Sequence, residues 1–361
     1  MKPLELYIHI PFCVRKCYYC DFLSAPATRQ ERQSYIESLC EEIRSYGSLA
    51  EAYRIVSIFV GGGTPSILES KQMEAIFSAV RDTFSVAWDA EITIEMNPGT
   101  VDEEKLETYR RIGANRLSIG LQSADDGELM RLGRIHTFED FLRTWHLVRS
   151  AGFQNVNVDL MSAIPGQTVK SWERTLRTVA KLGPEHISAY SLMIEEGTPF
   201  FEKYGGGEML PDEDEERLMY HRTRDILEEY GYHRYEISNY AKDGCECRHN
   251  LGYWERVEYL GIGAGAASLM DNKRWIAGEE PETLSREDQM EEFMFLGLRK
   301  TAGISKSVFE QEFGCPPESV YKDVIRRMTG LGLLKDADGC LRLSERGIDV
   351  SNYVMSEFLL H

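Results

Sequence analysis

The stretch Ile55-Val56-Ser57-Ile58-Phe59-Val60-Gly61-Gly62-Gly63 is six strand-forming residues stopped by three glycines. Such a run, near-continuously apolar and cut off by glycine, reads as a strand buried on both faces. It does not stand alone. Leu4 to Ile10, Glu91 to Met96, Arg116 to Leu121, Asn155 to Met161 and His186 to Leu192 carry the same signal. Helical spacing fills the gaps, as in Ile36, Leu39, Cys40, Ile43 and Tyr46 over residues 30–46 and again over about Glu69 to Phe84. Strands alternating with helices predict βα units on a parallel sheet, either open and doubly wound or a partial barrel. Both place ligands at the C-terminal strand ends. The Gly triplet, Asn97-Pro98-Gly99, Gln122 and Ile164-Pro165-Gly166-Gln167 all follow strands directly.

The whole chain has 361 residues, 42% hydrophobic and 28% charged, the composition of an ordinary globular protein of about two domains. Its formal charge of −18 disfavours phosphate backbones and anionic lipid over most of the surface. No apolar run approaches a membrane span, and Met1 to Phe12, broken by His9 and Pro11, lacks a signal-peptide layout. The expectation is a cytoplasmic protein without a transmembrane segment. Past residue 200 the pattern changes. Residues 201–286 read as a linker with small elements, in which the acidic run Asp212 to Glu216 is a solvated helix start or loop. Residues 287–361 read as a small unit of three helices, a hairpin through Asp336, Asp338 and Gly339, and a last helix from Ser344. That order resembles a winged helix. From Gly297 to His361, however, 9 Lys or Arg balance 9 Asp or Glu. A neutral unit on an acidic chain lacks the charge footprint for DNA, so no nucleic-acid partner is expected.

Three of the eight cysteines, Cys13, Cys17 and Cys20, lie within eight residues. In a reducing compartment such a cluster points to metal or redox chemistry rather than to disulfides. Three thiolates supply three corners of a cubane iron–sulfur cluster and leave one iron open, because Phe22 stands two residues after Cys20. Structural zinc with His9 as fourth ligand, and a cysteine-lined helix face, are the competing readings. Cys40 reads as core. Cys315 and Cys340 look incidental, and Cys245 and Cys247 are unassigned.

Tyr7-Ile8-His9-Ile10-Pro11-Phe12-Cys13 through Cys20-Asp21-Phe22 resembles the radical S-adenosylmethionine (SAM) superfamily. Gly61-Gly62-Gly63-Thr64-Pro65, Glu95-Met96-Asn97-Pro98, Gly120-Leu121-Gln122-Ser123 and Asp159-Leu160 with Ile164 to Thr168 extend the match in order. From about residue 4 to the C-terminus the chain resembles the oxygen-independent coproporphyrinogen III oxidase-like family, in its haem-chaperone (HemW) branch. The resemblance implies a partial (βα)6 TIM-like barrel over residues 1–200 and a C-terminal, mainly helical winged-helix-like domain over 287–361. It implies a 4Fe–4S cluster on Cys13, Cys17 and Cys20, with SAM at the open iron. There an electron from the cluster splits the sulfonium to a deoxyadenosyl radical.

Tyr7, Gly62, Gly63, Thr64, Glu95, Gln122, Arg134 and Asp159 occupy the family's SAM-contacting positions. Their chemistry suits SAM binding. Glycine backbone approaches a ligand closely, carboxylates accept from ribose or ammonium, and Arg134 offers a planar fork to a carboxylate. Two features separate a haem chaperone from a dehydrogenase that decarboxylates two propionates. The dehydrogenase has a fourth cysteine where Phe22 stands, and a longer arm before the cluster. His249-Asn250-Leu251-Gly252-Tyr253-Trp254 matches the branch's HNxxYW signature. His249 is therefore expected either to ligate haem iron or to cap the barrel as a packed His–Asn turn. Tyr253, Trp254 and Tyr259 offer flat faces to a porphyrin. Ala267 replaces a histidine that commonly follows the Gly-Ala-Gly-Ala run. The implied partners are haem, a haem-acceptor protein, and a low-potential electron donor such as flavodoxin or ferredoxin.

Overall fold

A computed structural model describes residues 1–360. Six parallel strands, β1 (Lys2–Ile10), β2 (Tyr53–Gly62), β3 (Ser85–Met96), β4 (Arg116–Gln122), β5 (Val156–Ser162) and β6 (His186–Ser191), lie side by side in chain order. All six expected strands are present. Short strands β7 (His233–Arg234) and β8 (Asn239–Ala241) continue the sheet antiparallel beyond β6. On the other side β9 (Tyr259–Ile262) pairs parallel with β1, followed by β10 (Ala267–Met270), β11 (Lys273–Ile276) and β12 (Glu282–Thr283). The result is a partial six-fold βα barrel extended at each edge.

Alternation along each strand sorts the side chains. In β1, Leu4, Leu6, Ile8 and Ile10 are fully buried against the helices, while Glu5, Tyr7 and His9 turn to the barrel interior. The interior is unusually polar. Buried Glu5, Ser57, Arg116, Asn157 and His186 occupy the N-terminal halves of their strands, and Glu91 lies near the middle of β3. Each needs a partner, because an unpaired buried polar group costs about 1–3 kcal/mol. His186 has two: Nδ1 lies 2.7 Å from Asn157 Oδ1 and Nε2 lies 2.8 Å from Tyr235 Oη.

The helix Arg248–Trp254 plugs this end. Glu91 receives its first amides, Arg248 N–H at 3.0 Å and His249 N–H at 3.1 Å, so a carboxylate faces the positive end of the helix. A Cβ at Gly252 would sit 2.1 Å from Glu5 Oε1, so any other residue there would displace the Glu5 carboxyl.

Burial pushes the Glu5 carboxyl up to about 9 from an ordinary 4.5. Between those values the folded chain keeps a proton that the unfolded chain releases. Stability from this group is therefore complete below pH 4.5 and declines as pH rises toward 9. Glu5→Gln should remove a slope of at most about 1.4 kcal/mol per pH unit. Urea melts of both proteins at pH 6 and pH 8.5 measure it; identical pH dependence would disprove the assignment.

The acidic run begins a helix, Glu213–Glu229, capped by Asp212. The C-terminal unit has its own apolar core, from Met290 to Phe358, distinct from the barrel's. Helices Arg286–Gly297, Lys306–Phe313 and Glu318–Gly330 precede the hairpin Leu334–Ala337 with Cys340–Leu343, and Ile304–Ser305 adds a third strand. This is winged-helix-like, as expected. Arg256 and Glu292, each 5% exposed and 3.1 Å apart, join it to the segment after the plug helix. Among the described residues no helix is long and apolar enough to cross a membrane.

Candidate cofactor site

The C-terminal strand ends converge on one cavity of about 980 Å³, open to solvent. Its wall includes Cys13, Cys17, Cys20, Gly62, Gly63, Thr64, Glu95, Gln122, Arg134 and Asp159. Ten of the expected cluster and SAM residues thus meet in one place. The cysteines sit on the irregular loop after β1, so the helix-face reading is not realised. All three are free and half-buried.

This loop is held by contacts to its thiols and backbone. Thr64 Oγ1 donates to Cys13 Sγ at 3.5 Å, and the Thr64 amide donates to the Phe12 carbonyl at 2.7 Å. Arg134 reaches Cys17 Sγ with Nη1 at 3.6 Å, and its Nη2 donates to the Gly120 carbonyl at 2.6 Å and to Asn97 Oδ1 at 2.5 Å. Arg134 thereby ties the loop to β4 and to the end of β3. Gly63 lets the two backbones meet, because a Cβ would fall 2.6 Å from the Phe12 carbonyl oxygen.

Inside the cavity the Gly62 amide donates to Glu95 Oε2 at 3.1 Å. Burial and the neighbouring Asp159 push the Glu95 carboxyl up to about 8. Burial likewise raises Asp159, opposed by donors on Asn157, Ser188 and Ser118. Two half-buried carboxyls on one cavity wall, partly balanced by Arg116, suit a cationic ligand. At the end of β4 the register slips between Gly120 and Gln122, and Gln122 takes φ +75°. That left-handed backbone is strained for a non-glycine residue. Tyr190 O–H fixes the side chain by donating to Gln122 Oε1 at 2.8 Å.

Among the described residues no three His, Cys, Asp or Glu side chains are grouped as they would be around a metal ion. The fit to a cluster rests on the donors: three soft thiols lining a cavity, with half-buried carboxyls beside them. Such a donor set suits iron–sulfur binding, and the carboxyls suit a sulfonium or ammonium group beside it.

Two expected positions lie elsewhere. Tyr7 is outside the cavity lining; it stacks on Phe59 with centroids 6.4 Å apart, and its hydroxyl lies 3.0 Å from His9 Nδ1. Its position in the strand points it inward below the rim. His249 lies at the opposite, plugged end of the barrel and is 1% exposed. Its Nδ1 is 2.8 Å from Ser57 Oγ, its Nε2 is 3.1 Å from Tyr253 Oη, and its ring stacks on Phe59. As placed, neither ring nitrogen is free for iron. Burial holds its pKa down near 3, so the imidazole is neutral.

Asn97, on the rim as its place after β3 predicts though not among the SAM-contacting positions, also lines the cavity, and so do Tyr19 and Tyr190, which the sequence did not point to.

Comparison with known proteins agrees with this geometry. Residues 7–179 match the radical SAM superfamily, and residues 284–350 match the HemN C-terminal domain. The chain is 36% identical to heme chaperone HemW of Lactococcus lactis, covering 99% of this chain and 98% of that protein. It is 34% identical to heme chaperone HemW of Bacillus subtilis, covering 98% of each. Among solved structures, coproporphyrinogen III oxidase (HemN) of Escherichia coli superposes with a TM-score of 0.84 at 22% identity, over 99% of this chain and 90% of that one. Superfamily membership implies a 4Fe–4S cluster and SAM. With its relatives matched almost end to end and its thiols and strand-end polar groups gathered at one cavity, the chain belongs to the HemW family of radical SAM proteins.

Proposed function

We propose that this chain holds a 4Fe–4S cluster on Cys13, Cys17 and Cys20, takes SAM at the open iron, and binds haem for transfer to an acceptor protein. The reading rests above all on one cavity in which three free thiols share the wall with the half-buried pair Glu95 and Asp159. The names of the HemW relatives carry the haem part. Cluster and SAM supply one-electron chemistry when bound. The chain's own residues position them: Arg134 and Thr64 hold the thiols, the Gly62–Gly63 backbone admits a ligand, and the carboxyls meet its cationic groups. Reduction of the cluster needs a low-potential donor such as flavodoxin or ferredoxin.

Phe22, 64% exposed, stands where the dehydrogenase reading needs a fourth cysteine. One air-free sample tests the two readings together. Titration with ferric haem should give a saturable shift of the haem absorption band. Supplied with coproporphyrinogen III, SAM and reductant, the same sample should form no protoporphyrinogen IX. Decarboxylation without haem binding would overturn the chaperone reading.

A further inference from the structure

The polar barrel interior carries one ordered row of hydrogen bonds. Asp159 and Ser118 line the cofactor cavity; Asn157 and His186 lie deeper, outside its lining. Strand register brings these residues together. Ser118 pairs with Asn157 and Asn157 with His186, while Asp159, two residues on, faces the same way and pairs with Ser188. A backbone donor sets the order of protons along the row. The Ser188 amide donates to Asn157 Oδ1 at 3.1 Å, so that atom is an acceptor and the side-chain nitrogen points toward the cavity. His186 Nδ1, 2.7 Å from the same oxygen, must therefore carry the ring's proton. Burial and the Arg116 charge hold the His186 pKa well below the ordinary 6.5, so the ring is neutral. Its Nε2 is left to accept from the Tyr235 hydroxyl at 2.8 Å. The Tyr235 oxygen in turn accepts from the amide of Cys247, the N-cap residue of the plug helix, at 3.3 Å. At the cavity end Asn157 Nδ2 donates to Asp159 Oδ1 at 2.7 Å and to Ser118 Oγ at 2.8 Å, and Ser118 donates to Asp159 Oδ2 at 3.1 Å.

We propose that His186, although it lies outside the cavity, is a positioning residue for SAM: as the Nδ1–H tautomer it fixes Asn157 so that both oxygens of Asp159 meet donors and the carboxylate keeps one orientation toward the ligand. The inference rests on the SAM reading above and adds to it residues that do not touch the ligand. Every bond in the row points the same way, so each polarises the next. The opposite tautomer would set the Nδ1 lone pair against the Asn157 oxygen. Turning the amide over to relieve that contact would set its NH2 group against the Ser188 amide and its oxygen against Asp159. Apolar side chains of the same shape could fill this layer at little cost in stability, so the row serves the site rather than the fold.

The cluster-loaded chain, kept air-free, is titrated with SAM as wild type and as His186→Leu, His186→Asn and Asn157→Asp. His186→Leu removes the donor, and Asn157→Asp replaces the nitrogen facing Asp159 by oxygen. Each should weaken SAM binding at least roughly tenfold while iron content stays unchanged. His186→Asn keeps an N–H near the Nδ1 position and should recover most of the affinity. Nitrogen NMR of the wild-type chain with isotope-labelled histidine, its signal assigned by absence from His186→Asn, should report an Nδ1–H ring; this keeps the test valid if His186→Leu fails to fold. Unchanged SAM affinity in His186→Leu and Asn157→Asp, or an Nε2–H ring, would overturn the positioning role and leave the cofactor reading standing. A loss in His186→Asn as large as that in His186→Leu would reduce the ring to packing and overturn it too. No SAM binding by the cluster-loaded wild type would overturn the cofactor reading itself.

Discussion

Replacing Cys13, Cys17 and Cys20 together by alanine should abolish cluster absorbance and bring protein-bound iron to background. Each thiolate is a ligand, and no fourth thiol lines the cavity to substitute: Met96 offers only a single neutral thioether, and the rest of the wall is harder donors and backbone. The fold should survive. The cysteines sit on an irregular loop, and none of the three belongs to an apolar core. Thermal melts of the cluster-free proteins should therefore nearly coincide while their iron contents after air-free reconstitution differ completely. Iron retained by the triple variant, or stoichiometric zinc in air-free wild-type protein, would disprove the ligand assignment. The same variant tests Arg134 indirectly. With Cys17 gone, Arg134 keeps Gly120 and Asn97 as partners, so its loss of one contact does not unseat it.

Much of this was legible in the residues. Parallel strands buried on both faces read as apolar runs, and the glycines that end them mark where backbone meets ligand. The rim positions followed, because strand ends place ligands in any βα architecture. Periodicity fails where a tertiary need overrides it. Ser85 to Ala90, at the start of β3, is a largely exposed extension whose Val86, Ala87, Trp88 and Ala90 do not alternate with polar residues, and Trp88 is 90% exposed, so periodicity gives no strand there. The sequence leaves His249 between a haem ligand and a barrel cap, and the structure packs it in the plug, a choice periodicity does not make. Its role depends on which end of the barrel its helix plugs, and on a polar interior whose partners, Ser57 and Glu5, are about 190 residues and more away in sequence. A motif names such a histidine without stating which way its ring points. Tyr7 is a smaller case: strand alternation sends it inward, but its depth below the rim is set by the length of β1 and by Phe59 beside it.

Gly63→Ala should damage the site without dismantling the barrel, and its effect should rank next to loss of the cysteines. The added Cβ would fall 2.6 Å from the Phe12 carbonyl oxygen, 2.9 Å from its carbon and 3.0 Å from Cys13 Sγ. Two of these atoms are backbone, so no side-chain rotation relieves the contact. The loop after β1 has to retreat, and with it go the Thr64 N–H bond to the Phe12 carbonyl and the Thr64 contact to Cys13. Cys17 and Cys20 remain anchored through Arg134 and the Tyr18 amide, which donates to the Leu132 carbonyl at 3.1 Å. One ligand is thus moved relative to the other two. Loss of groups that orient metal ligands costs on the order of 10–100-fold in affinity, so cluster occupancy at limiting iron should drop at least roughly tenfold. Gly99→Ala is the control. Gly99 follows a strand at the same rim and has a positive φ of +77°, but a Cβ there meets nothing within 4 Å. That variant bears backbone strain without moving the loop. Equal iron contents in the two variants would show that the close approach at Gly63 does not set the position of Cys13.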